Sequence, residues 1–343
     1  MGKNSNMMNH YFGDSRRFAD LFNVVFFQGE AVVKEEELSE VSEVYHPQKT
    51  VEMGLGRPRH RGERFRDVCK KLESGGILRI LALENQNQID YAMPYRCMQY
   101  DAMEYGKQLE KIRRDNMQKG NFTTAAEKLC GLLKNDRLIP VFTLCLYHGE
   151  EKWDGPRSLR EMMQFAGVED RFRKLFIDYP LRLYCLNEPN DLKLFRTEVQ
   201  QLFHALQYRR DREGLKNLFE ENPAFQHLDR ETLETVAVLL NMPEAWEHRD
   251  KIENRNSEKE EYNMCQAVME WRAELKESGR NEGRNLRAIE QVKKKLQKGK
   301  DIETIVEELE ETRENVEQII AAIEKCGLDE DASEIYEQMT GIE

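Results

Sequence analysis

Apolar residues at helical spacing alternate along this chain with short, nearly continuous apolar runs, an order that predicts a layered α/β core followed by helices. Within residues 16–23, Phe18, Leu21 and Phe22 recur at the three- and four-residue steps of one helix face, and the apolar run VVFFQ follows. Residues 35–44 are acidic and 47–62 are rich in Gly, Pro and Arg, so a loose segment is expected there. Ser74, Gly75 and Gly76 then separate two extended runs. Gly-Gly is a favoured two-residue hairpin loop because both glycines tolerate positive φ. Residues 77–83, ILRILAL, are almost wholly apolar, as expected of a central strand covered on both faces. Pro94 suits the first turn of a helix that runs to about residue 117. Residues 138–146 and 181–186 read as further buried strands.

Strand, strand, helix, strand, helix, strand predicts a mixed central sheet flanked by helices, in the α/β class. Helical spacing takes over at 192–208 and 228–241. Residues 250–285 are dominated by charge and contain the near-repeat ESGRNEGRN, the expected domain boundary. Three short helices are predicted beyond it, at 286–296, 302–309 and 316–323, with Gly299 ending the first, Asp301 capping the second and Thr312 the third. The resulting division is an α/β domain over 11–215, a helical extension over 216–250, a charged helical linker over 251–285 and a small helical region over 286–343.

The hairpin carries the candidate chemistry. With Gly75 and Gly76 as its loop, Asp67 faces Glu84, and carboxylates opposed on an antiparallel pair repel unless a cation lies between them. Gln86 shares the face of Glu84 because strand side chains alternate. Three oxygen-bearing side chains therefore converge, which suits magnesium bound by one or two carboxylates and water. The plain alternative is a solvated pair of acids at a hairpin's open end, and a register slip of one residue would move Asp67 to the other face. On the next helix Arg96 and Tyr100 lie four residues apart on one face, where an arginine can grip a phosphate. His60, His204, His227 and His248 lack partners at ligand spacing.

Composition narrows the class. Of 343 residues, 34% are charged and 39% hydrophobic, with a net charge of −12. No apolar run approaches the ~20 residues that span a bilayer, and MGKNSNMMNHYFGD has no signal-peptide core, so a cytoplasmic, non-membrane protein is expected. Seven widely spaced cysteines without a C-x-x-C fit reduced thiols rather than zinc ligands. The negative charge argues against extensive phosphate gripping. Lys293, Lys294, Lys295, Lys298 and Lys300 form the one basic patch, a candidate for DNA contact, yet the acidic residues on the last predicted helix favour packing or homo-oligomer formation through the tail.

Asp67, the hairpin and Glu84-Asn85-Gln86 resemble the core of the PD-(D/E)XK phosphodiesterase superfamily, most closely its Rpn branch of recombination-promoting nucleases, also described as YhgA-like putative transposases. RRFADLFN (16–23), IDYAMPYRCMQYDAMEY (89–105) and RLIPVFTLCLYHGEEKWDGPRSL (137–159) agree with that branch, so the resemblance covers roughly the first two thirds of the chain. It implies a restriction-endonuclease-like core and a bacterial DNA endonuclease dependent on Mg2+, or Mn2+, linked to recombination or mobile elements. Asp67 and Glu84 would be the metal ligands, Asp67, Glu84 and Gln86 the catalytic set, and Asp20 a further acid from the first helix. Gln86 replaces the superfamily's usual lysine, a neutral group for a charged one. A DNA-binding descendant with weakened catalysis and a protein-interaction module stand as alternatives. His148, Gly149, Trp153 and Asp154 read most simply as a tight turn with an anchoring tryptophan.

Overall fold

The structure, a computed structural model, describes residues 3–41, 67–242 and 261–340. It forms two compact units, residues 1–265 and 266–343. The first contains, in chain order, α1 (Lys3–Tyr11), α2 (Ser15–Phe27), β1 (Leu38–Glu40), β2 (Val68–Ser74), β3 (Ile77–Gln86), α3 (Met93–Lys119), α4 (Ala125–Cys130), β4 (Val141–Tyr147), α5 (Asp170–Leu175), β5 (Leu183–Cys185), α6 (Val199–Gln207), α7 (Arg212–Glu221) and α8 (Arg230–Leu239).

The hairpin has the expected register. Gly75 and Gly76 take φ of 61° and 74°, and pairing runs from Ser74↔Ile77 to Val68↔Leu83. Two consecutive positive φ values make the turn that matches the right-handed twist of the strands. β1 adds antiparallel to β2, whereas β4 joins β3 and β5 joins β4 in parallel. The five strands lie in the order β1-β2-β3-β4-β5, which makes the apolar β3 central as its composition predicts. Residues Ile80 to Asn85 are all buried.

Helices cover both faces. Lys70 of β2 is buried with Nζ 5.9 Å from the Phe18 ring, so α2 lies on the face of Val68, Lys70 and Leu72. On the other face Met93 and Cys97 of α3 pack with Cys145, Tyr147, Trp153 and Cys185. Pro94 sits in the first turn of α3, where its missing N–H costs nothing, and Gly120 at φ 62° ends the helix. Asp101 latches α3 to the sheet by accepting from Thr143 Oγ1 and Tyr179 Oη, each at 2.6 Å.

Several elements differ from their prediction for identifiable reasons. VVFFQ continues α2 to Phe27, and the chain leaves the helix through Gln28 and Gly29, both at positive φ. Three residues of the acidic segment form β1, where Glu40 pairs with the Lys70 ammonium. The helix predicted over 192–208 divides into a 3-10 turn at Leu192–Leu194 and α6. The α/β domain predicted from residue 11 to 215 also needs flanking helices: α1 contacts β3, and Tyr11 Oη meets Thr232 Oγ1 of α8 at 3.1 Å. The second unit holds most of α9 (Met264–Leu296), with α10 (Ile302–Leu309), α11 (Arg313–Cys326) and α12 (Ala332–Thr340). α9 runs unbroken through ESGRNEGRN, so the separate helix predicted at 286–296 is its last part, and the two units divide between Cys265 and Gln266, inside the 250–285 stretch. Gly279 and Gly283 cost about 1 kcal/mol each against alanine, which their Glu, Arg and Leu neighbours can absorb. Asp301 and Thr312 cap as expected. Ile289, Val292, Ile305, Ile319 and Ile335 fill this unit's own core. No described helix is long and apolar enough to cross a membrane, and all seven cysteines are free thiols.

Replacing Gly76 with Val forces a β-branched residue to positive φ and is expected to cost about 1–2 kcal/mol. Asn at the same position tolerates that conformation and should cost less. Urea unfolding midpoints for the two variants measure the difference, and equal losses would show that the turn does not set the stability of the hairpin.

Candidate metal centre

One step beyond Val68↔Leu83, the hairpin register sets Asp67 across from Glu84. Alternation puts Val68 and Lys70 toward α2 and assigns Asp67 and Cys69 to the opposite face. Glu84 and Gln86 lie on that opposite face too, because their β4 partners Cys145 and Tyr147 belong to the cluster under α3. The pairing thus agrees with one shared face for the three backbone positions.

Asp67 sits just outside β2, where its carboxyl has turned toward the strand end. Oδ2 accepts from the Asn85 backbone N–H at 2.7 Å and Oδ1 from Asn9 Nδ2 at 3.0 Å. Asn85 Nδ2 in turn donates to Asn9 Oδ1 at 2.7 Å, closing a triangle between α1 and the hairpin. Asn9 carries no sequence signal, since it acts across 58 residues of chain. Burial raises the Asp67 pKa, and the bonds from Asn85 and Asn9 and the charge of Arg96 offset only part of that rise. Glu84 is 1% exposed. Two carboxyls in so enclosed a place are costly as bare charges, and a cation would compensate them.

Gln86 is half-buried at the end of β3, and its carbonyl accepts from the His148 N–H at 2.9 Å. Arg96 and Tyr100 share a helix face as predicted, with Nη2 to Oη at 3.5 Å. The Arg96 guanidinium also binds Asp90. Burial works against the charge of Arg96, but its bonds to Asp90 and Tyr100 outweigh burial and raise its pKa. Its Nε is buried with no acceptor.

Other predicted residues take different roles. Asp20 is committed elsewhere: its carboxylate accepts from the N–H groups of Arg196 and Thr197, the latter at 2.8 Å, and from Thr197 Oγ1 at 2.6 Å. It fastens α2 to the turn before α6, which explains the break in the predicted 192–208 helix. The lysine patch is drawn inward. Lys293 binds the Glu330 carbonyl, and Lys295 and Lys300 share Glu308, while Lys294 lies 3.8 Å from Glu290. Lys298 is exposed. His227 has a partner after all, with Nδ1 2.7 Å from Glu261, whereas His60 and His248 lie outside the described residues. Trp153 anchors its turn as expected, packing edge-on to Tyr147 and donating to the Gly155 carbonyl at 2.8 Å.

Among the described residues, no three His, Cys, Asp or Glu side chains gather into a metal cage. The candidate donors are instead the carboxylates of Asp67 and Glu84, with the Gln86 amide beside them. These hard oxygens fit a cation that keeps most of its water, as magnesium does. No protein-family model, curated protein or solved structure matches the chain.

A carboxyl whose pKa is raised by folding is favoured in its protonated form. Wild-type protein should therefore lose stability relative to Asp67→Asn as pH climbs past 3.8, the ordinary value, toward the raised one. Urea titrations in EDTA across that range provide the comparison, and parallel curves would show that folding leaves the carboxyl unperturbed. Asp20→Ala strands the N–H groups of Arg196 and Thr197 and should cost about 1–3 kcal/mol. Magnesium should raise the melting temperature of that variant as much as that of the wild type.

Proposed function

We propose that the chain is a metal-dependent DNA endonuclease of PD-(D/E)XK type. The observation that carries this reading is the hairpin register, which brings Asp67, Glu84 and Gln86 to one end of the central strand. The mixed sheet flanked by helices agrees with such a core. Asp67 and Glu84 would hold magnesium, or manganese in its place, and that ion would neutralise phosphate charge and acidify a water molecule. Gln86 orients the phosphate or the water through its amide, which both donates and accepts. Arg96 would help hold the strand, its guanidinium oriented by Asp90 and Tyr100. The triangle of Asn9, Asp67 and Asn85 fixes the aspartate before any ion arrives.

Gln86 itself favours a second reading, a DNA-binding protein of weakened activity. A lysine would bring positive charge to the developing transition state, and charge-assisted hydrogen bonds are about twice as strong as neutral ones. The link to recombination and mobile elements, and a bacterial source, rest on the family resemblance. The inward-held lysines support a packing or assembly role for the tail.

Cleavage of supercoiled DNA in magnesium, abolished by EDTA and by Asp67→Asn or Glu84→Gln, is the expected result. Gln86→Ala should slow cleavage with the metal response kept, and Gln86→Lys should speed it about fivefold, near 1 kcal/mol. Wild-type rates in either carboxylate variant would end the nuclease reading. DNA binding that persists in EDTA without cleavage in either metal would select the second one.

A further inference from the structure

A cavity of about 500 Å3 opens beside the ends of the parallel strands β3 and β4, one residue past Gln86. In sheets with parallel strands, ligands gather beyond the carboxyl ends of those strands. The walls are mixed: Asn87, Gln88 and Asn241 bring amides, Leu206 and Leu239 an apolar surface, and Tyr91 an aromatic ring that is 60% exposed. His148 lines the same space, 2% exposed, and its Nε2 has no hydrogen-bond partner. A buried polar atom of this kind normally finds a partner, and leaving it unmatched is costly.

The charges around the cavity select what can enter. Arg209 lines it, but its guanidinium already donates to the carbonyls of His148, at 2.6 Å, and Gly149. Glu150 and Glu151 stand on the same wall, bound to Arg210, and would repel an anion. Burial, helped by the nearby Arg209 charge, pushes the His148 pKa down to about 4, so its imidazole is neutral at pH 7 and adds no charge to the cavity. A phosphate has little to hold it here. A planar, neutral heterocycle with donors and acceptors on its edge does.

We propose that this cavity is a nucleobase pocket, in which the Asn87 and Gln88 amides and the His148 imidazole read the edge of a base and Tyr91 offers its ring for stacking. The proposal deepens the nuclease reading, on which it rests for the source of the base. Asn87 follows Glu84 by three residues, about 10 Å of strand. A nucleotide neighbouring the cleaved phosphate can span that distance. The recognition chemistry is the same whether the base comes from a strand or from a free nucleoside.

Fluorescence anisotropy with the full chain in EDTA, where nothing is cleaved, tests the pocket apart from catalysis. One arm uses 2-aminopurine riboside and the other dye-labelled single-stranded oligonucleotides, intact or with one abasic site. Rising riboside anisotropy supports the pocket with a free nucleoside as a ligand. Tighter binding of the intact oligonucleotide than of the abasic one supports it with a strand as the source. In either arm Tyr91→Ala should weaken binding about fivefold or more. Gln88→Ala, at an exposed position whose change leaves the fold intact, and His148→Gln should weaken it as well. The proposal is overturned if neither probe distinguishes the base, or if all three variants bind as the wild type does. Cleavage that survives such a result would leave the nuclease reading standing without the pocket.

Discussion

The pairing register of one hairpin governs everything that the first unit can do. Gly75 and Gly76 close the loop with both residues at positive φ, so no spare residue remains through which the strands could slide. A slip of one position would carry Asp67 away from the face of Glu84 and Gln86. The same slip would turn Val68 and Leu72 out of the core and move the Lys70 ammonium away from Glu40 and Phe18. Apolar burial and polar placement thus impose the same register. The triangle of Asn9, Asp67 and Asn85 adds a third lock at the open end, where strand pairing has stopped.

That lock has a cost in the free protein. Glu84 is enclosed and burial raises the Asp67 pKa, so the end of β3 concentrates charge where solvent cannot spread it. The neighbouring elements are arranged to bear this. Asp101 of α3 is bound to both Thr143 of β4 and Tyr179, which keeps the helix against the sheet. Arg96, one turn from the start of α3, is held by Asp90 and Tyr100, so its charge stays within reach of Asp67.

Local pattern made the sheet legible. The apolar ILRILAL run, the Gly-Gly loop and Pro94 each act within a few residues, and β3, the turn and α3 followed from them. Asp301 and Thr312 were readable as caps for the same reason. What could not be read depends on partners distant in sequence. Asp20 looks like any helix-surface aspartate until Arg196 and Thr197 arrive 176 and 177 residues later. Asn9 and Arg209 gave no signal at all. The lysines in the last turn of α9 and just beyond it read as a basic patch because the acid that holds two of them, Glu308, belongs to the next helix. The charged run through Gly279 and Gly283 resembled a linker, although residues of high helix propensity surround both glycines.

Those internal ion pairs bear on how an acidic chain would meet an acidic polymer. With a net charge of −12 and the tail lysines largely spent on Glu308 and the Glu330 carbonyl, long-range attraction has little to draw on. Under the nuclease reading, affinity must then come from short-range contacts: a cation between Asp67 and Glu84, the Arg96 guanidinium, and the cavity beyond Gln86. Binding built this way releases few counterions and depends only weakly on salt, unlike that of a protein that tracks many phosphates. It also favours single-stranded or locally opened DNA, because a base that enters a pocket must first leave its stack.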